Sequence, residues 1–140
     1  MTTLPPKYKA FVYEEYGPIE DVVKIKEVPM EPLEATAVRI KVHCAALNPA
    51  DGLIAEGAGP RFFSTLPSAD KPHRLGFDAA GVIVEVGSQA TGKFQVGDEV
   101  YAMTPFLGLS TLAEYVTLDA DCVARKPNTL DFAKAAAVPA

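Results

Sequence analysis

Cysteine and histidine are scarce here, two of each in 140 residues, and no Cys-x-x-Cys occurs. His43 and Cys44 are neighbours on an expected strand, so their side chains leave on opposite faces and cannot chelate one ion together. No zinc site is expected. Cys44 and Cys122 read as thiols in a reducing compartment. No apolar run approaches the ~20 residues needed to span a bilayer, and the first nine residues lack a signal-peptide apolar region. Nor is there a basic stripe with interleaved aromatics, and a net charge of −5 argues against nucleic acid and anionic membranes. These absences lead us to expect a soluble, cytoplasmic protein.

Three catalytic signatures are also missing. A phosphate loop needs Ser or Thr after its lysine and a helix behind it. Gly87-Ser-Gln-Ala-Thr-Gly92-Lys93 is followed by Phe94 and by no helical period, so it reads as a hairpin loop. No Gly-x-Gly-x-x-Gly lies between a strand and a helix, which excludes a dinucleotide-binding βαβ unit. Without a Gly-x-Ser-x-Gly elbow, His43 and His73 read as solvated surface residues, the second in a flexible loop.

What is present is β-structure. Nearly half the residues (49%) are apolar, and twelve prolines and ten glycines mark frequent turns. Strands are predicted over 8–13, 22–28, 37–46, 81–87, 98–103, 112–118 and 122–124, with 14–21 and 60–74 as loops, the latter long and mobile. In 37–46, Val38, Ile40, Val42 and Cys44 alternate with Arg39, Lys41 and His43, giving one core face and one wet face. The glycines at 81, 87, 92 and 97 read as strand boundaries. One short helix runs from Asn48-Pro49-Ala50-Asp51 to about Glu56 and is stopped by Gly57 and Gly59. Another, about 131–137, is capped by Asn128 or Thr129 and is too alanine-rich to be stable alone. The fold class is mainly β: a partly open antiparallel barrel with two short helices, forming one domain over 1–140.

Asn48 and Asp51 admit two readings. Helix capping accounts for both residue types; a functional role gains only from their surroundings. Those surroundings are Lys9-Ala-Phe-Val-Tyr13, Val42 through Asp51, Gly76-Phe-Asp-Ala-Ala-Gly81-Val-Ile-Val-Glu-Val-Gly87, Val96-Gly-Asp-Glu-Val100 and Ala113-Glu-Tyr-Val116, in that order. Each is weak alone. As an ordered set they resemble the N-terminal, GroES-like catalytic domain of the medium-chain dehydrogenase/reductase superfamily, and within it the zinc-independent quinone oxidoreductase and enoyl reductase branch.

The resemblance implies a two-domain, NADPH-dependent oxidoreductase that passes hydride to a quinone or to the β-carbon of an α,β-unsaturated carbonyl. Zinc-using relatives carry Gly-His-Glu where this chain reads Gly76-Phe77-Asp78, and phenylalanine cannot ligate a metal. It also implies that Asn48 and Asp51 bind the cofactor, orienting the nicotinamide and its ribose and maintaining the polar network. Leu53, Phe77 and Phe106 would make the substrate pocket apolar, or serve as ordinary core. Leu53 and Ala58-Gly59 stand where quinone oxidoreductases often carry a tyrosine, so no proton donor and no catalytic residue is assigned. The Rossmann half lies outside these 140 residues, so the isolated chain is expected to bind NADPH weakly or not at all, and a homodimer is left open for the full-length protein. Alternatives are a free-standing interaction domain without catalysis, and an auxiliary enoyl reductase of a polyketide pathway.

Overall fold

The computed structural model describes residues 3–105 and 110–140. Among the described residues, eight strands form two antiparallel sheets. In the first, β1 (Lys7–Tyr13) lies between β2 (Lys24–Pro29) and the two-residue β4 (His73–Arg74). The second contains β3 (Ala37–Ala46), β5 (Asp78–Val86), β6 (Glu99–Met103), β7 (Tyr115–Asp119) and β8 (Val123–Arg125), in the order β7-β3-β5-β6-β8. Its outer strands β7 and β8 do not pair with each other, so the sheet curls without closing. A bridge between Ala10 and Ala113, flanked by Phe11 N–H donating to Leu112 O and Glu114 N–H donating to Lys9 O, ties the first sheet to the second. This is the expected mainly β, partly open architecture.

Inside the curl, Val38, Ile40, Ile83, Val100, Val116, Leu118 and Val123 form the main core. Phe94, the residue that breaks the phosphate-loop pattern, is buried in it, a burial of about 1.5–3 kcal/mol. The loop between β5 and β6 is thus a hairpin connection that plugs the core with an aromatic ring.

The alternation expected in β3 fails at Arg39, which is buried rather than wet. β3 is a central strand, and its neighbours place Glu85 on one side and Thr117 on the other, directly across from Arg39. The guanidinium pairs with Glu85, donates to Thr117 Oγ1 at 3.2 Å, and is covered by a contact to Glu31 O. A register shift near His43 leaves that residue without a partner on β5, and its ring packs on Phe132 at 4.3 Å.

Several boundaries also differ from expectation. β5 begins at Asp78, so Gly81 is interior to a strand; a Cβ there would meet Lys41 O at 2.1 Å. β7 begins at Tyr115, because residues 112–114 are taken up by the link to β1. The expected loop 14–21 contains a single helical turn, α1 (Ile19–Val22). The expected mobile loop 60–74 contains a tight turn at Gly59–Arg61 and then β4. α3 (Phe132–Ala136) is capped by Asp131, whose Oδ1 accepts from Lys134 N at 2.8 Å, and not by Asn128 or Thr129. Packing against Ala80, Cys44 and Tyr101 holds this short helix in place.

Candidate functional site

The corner that follows β3 is built by local chemistry. Asn48 is extended and caps α2 (Pro49–Leu53), with proline at the first helical position, where no N–H is required. Asn48 N–H donates to Asp51 Oδ2 at 2.8 Å, and Asp51 N–H donates to Asn48 O at 2.9 Å. Asp51 is 1% exposed, and its second oxygen accepts from Gly76 N at 2.8 Å. Both carboxylate oxygens therefore hold backbone, one within the helix start and one across to the segment entering β5.

Gly76 adopts φ +101°, and a Cβ there would meet Thr111 Oγ1 at 2.2 Å. Only glycine lets the chain turn here while keeping its N–H on Asp51. Phe77 and Asp78 follow. Asp78, 1% exposed, accepts from Asn48 Nδ2 at 2.9 Å through Oδ2. Burial pushes its carboxyl above the usual aspartate value, and the nearby Asp51 charge adds to this. The Asn48 hydrogen bond and the Ala140 backbone act in the opposite direction. Thr104, just past β6 and fully buried, donates its N–H to Phe77 O at 2.7 Å.

The structure thus gathers Asn48, Asp51, Phe77 and Asp78 at one corner. Phe77 is buried against Ile54, with Ala50, Phe62 and Phe63 packed around it. Leu53 is 63% exposed. It borders an apolar recess of about 160 Å³ with Ala50, Ile54, Ala58, Arg61 and Phe62. Phe106 lies outside the described residues. Among the described residues no three His, Cys, Asp or Glu side chains come close enough to hold a metal ion.

Sequence reasoning passed over two residues of this corner, Asp78 and Thr104. The first was visible as the third member of Gly76-Phe77-Asp78; the second has no local signal. His73 was also misjudged, since it is not a solvated loop residue. It pairs with Tyr13 in the first sheet and packs among Tyr13, Tyr16 and Phe63, with ring centroids 4.6–6.4 Å away. Burial lowers its basicity. Behind it, the Tyr16 ring fills the space beside Gly59, where a Cβ would meet the Tyr16 hydroxyl at 2.3 Å. Gly59 is therefore needed for packing and does not end the helix; Gly57, at φ +135°, makes the sharp turn.

A nicotinamide end needs hydrogen-bonding groups beside an apolar wall, and this corner supplies both. Asn48 is half-buried at the helix start, Asp78 Oδ1 and Thr104 Oγ1 have no hydrogen-bond partner among the described residues, and the apolar recess lies one helical turn along. These residues fit the group.

Comparison with known proteins places the fold. Over 98% of its length the chain is 38% identical to the chloroplastic NADPH-dependent alkenal/one oxidoreductase of Arabidopsis thaliana, covering 36% of that protein. The quinone oxidoreductase of Coxiella burnetii superposes with a TM-score of 0.84 at 31% identity, over 95% of this chain and 41% of that one. A Rhizobium etli protein assigned as a zinc-dependent alcohol dehydrogenase superposes with a TM-score of 0.82 at 31% identity, over 95% and 37%. The chain spans about a third of the length of the curated relatives it matches. Residues 34–128 match the model of the alcohol dehydrogenase GroES-like domain, and with the ordered motifs and the curled sheet this establishes that the chain belongs to that family.

Proposed function

We propose that this chain is the catalytic-domain portion of an NADPH-dependent, zinc-independent reductase acting on a small quinone or α,β-unsaturated carbonyl. The observation that carries the reading is the tied corner of Asn48, Asp51 and Asp78 beside Phe77, the position at which the sequence resemblance implies a histidine ligand in zinc-using relatives. Reduced nicotinamide, when bound, supplies the hydride. Without a Lewis acid, alcohol deprotonation is disfavoured, whereas reduction of an already polarised acceptor remains feasible. In this reading Asn48 contributes hydrogen-bonding groups on the nicotinamide side, and Asp51 keeps the corner closed. The recess beside Leu53 offers an apolar wall to the acceptor. The Arabidopsis relative's alkenal/one chemistry and the Coxiella relative's quinone chemistry both support this class of acceptor.

The test uses the full-length protein carrying this chain, assayed for NADPH oxidation with quinones and alkenals. Activity is expected to persist in the presence of chelators, and loss on chelation would overturn the zinc-independent reading. Asn48→Ala is expected to lower activity by more than it lowers the melting temperature. A loss confined to stability would return Asn48 to a capping role alone.

A further inference from the structure

A buried carboxyl with no counter-ion needs a physical account, because removing it from water is costly unless it is hydrogen-bonded. Asp78 is such a group: 1% exposed, in no ion pair among the described residues, and close to the Asp51 charge. Helix capping does not explain it. The start of α2 is held by Asp51, whose oxygens take Asn48 N and Gly76 N, and it is complete without Asp78. Nor does the sheet need it, since an apolar residue at the first position of β5 would pack there without the desolvation cost. Besides the Ala140 backbone, what Asp78 touches is the side-chain amide of Asn48, at 2.9 Å.

An asparagine amide can turn over, exchanging its oxygen for its nitrogen with little change of shape, and only a partner that distinguishes donor from acceptor selects one orientation. An ionised carboxylate oxygen does so, because it accepts and cannot donate. Asp51 holds the Asn48 backbone, and in the capping box the Asp51 N–H faces the oxygen end of the Asn48 side chain; Asp78 is the partner on the nitrogen end. The backbone that carries the Asp78 carboxyl is fixed, since it is paired in the sheet with Ala46 of β3 and Met103 of β6. We propose that Asp78 is the positioning residue of this site, using Oδ2 to hold the Asn48 amide in the one orientation that meets the nicotinamide end of NADPH. This rests on the reductase reading above and adds to it the residue that sets the polarity of the contact.

The test is NADPH affinity of the full-length protein, by fluorescence titration, with melting temperatures recorded alongside. Asp78→Leu is expected to weaken binding about tenfold, the size of one hydrogen bond to a charged group. Asp78→Asn, whose amide both accepts and donates and can turn over together with that of Asn48, no longer selects one orientation and is expected to weaken binding by a similar factor. The double variant N48A/D78L should bind no more weakly than N48A alone, because the two residues act as one unit. Wild-type affinity in D78L, or losses that simply add in the double variant, would overturn the proposal. If D78L melts below the assay temperature, Asp78→Ser takes its place, with the same loss expected because its hydroxyl is too short to reach Asn48. Failure of the wild-type protein to bind NADPH would overturn the parent reading and this proposal together. Normal wild-type binding with an unaffected D78L would overturn this proposal alone.

Discussion

Asp51 and Gly76 are joined by a hydrogen bond of 2.8 Å from the Gly76 N–H to a carboxylate that is 1% exposed. The bond fastens the start of α2 to the entrance of β5, and so fixes the distance between the Asn48 amide and Asp78. Asp51→Ala removes, from a buried position, two carboxylate oxygens that accept from backbone N–H groups. It is expected to lower the unfolding free energy by about 2–4 kcal/mol, read from denaturant midpoints. Asp51→Asn keeps an acceptor oxygen and should lose roughly half as much.

Gly76→Ala is expected to be among the most damaging single-methyl additions in the chain. It combines a left-handed φ of +101° with a Cβ 2.2 Å from Thr111 Oγ1. The two effects together should cost about 2–5 kcal/mol. Gly92→Ala is the control, because a Cβ there meets nothing within 4 Å. Equal melting temperatures for the two variants would contradict this account.

One half-buried group and one buried group should bend the pH–stability curve in opposite directions. His73 has a folded-state value below its ordinary 6.5, so the unfolded chain takes up the proton first. Its contribution is complete above pH 6.5 and declines as pH falls below it, and His73→Phe should flatten that acid limb. Asp78 has a folded-state value above 3.8, so the folded chain keeps its proton longer. Its contribution is fully present below pH 3.8 and is lost as pH rises through the folded value. Asp78→Asn should therefore gain on the wild type as pH rises from 4 toward neutrality, which urea titrations at several pH values would show.

The pair Arg39–Glu85 is asymmetric: the arginine side chain is 4% exposed and the glutamate 40%. Glu85→Ala leaves a buried cation without its carboxylate, whereas Arg39→Met leaves a carboxylate that water can reach. Glu85→Ala is therefore expected to cost about 2–3 kcal/mol and Arg39→Met about 1 kcal/mol. The reverse order in chemical denaturation would show that packing of the arginine stem outweighs its charge.

The helix start at Asn48-Pro49-Ala50-Asp51, the hairpin around Phe94 and most of the strands could be read directly from the chain. Each depends on a few adjacent residues: a cap, a fixed φ, a period of two, a missing Ser or Thr after a lysine. The burial of Arg39, the packing of His73, the contact of Asp78 and the short strand His73–Arg74 could not. Arg39 is dry because Glu85 and Thr117 arrive from two other strands, and His73 is enclosed because Tyr13 pairs with it across the first sheet. Asp78 meets the Asn48 amide only because the end of β3 and the start of β5 are brought side by side. Local dihedral preferences and caps act over three or four residues and leave their mark in the sequence. The dielectric around a charge and the identity of its partner are set by segments that meet only when the sheets close.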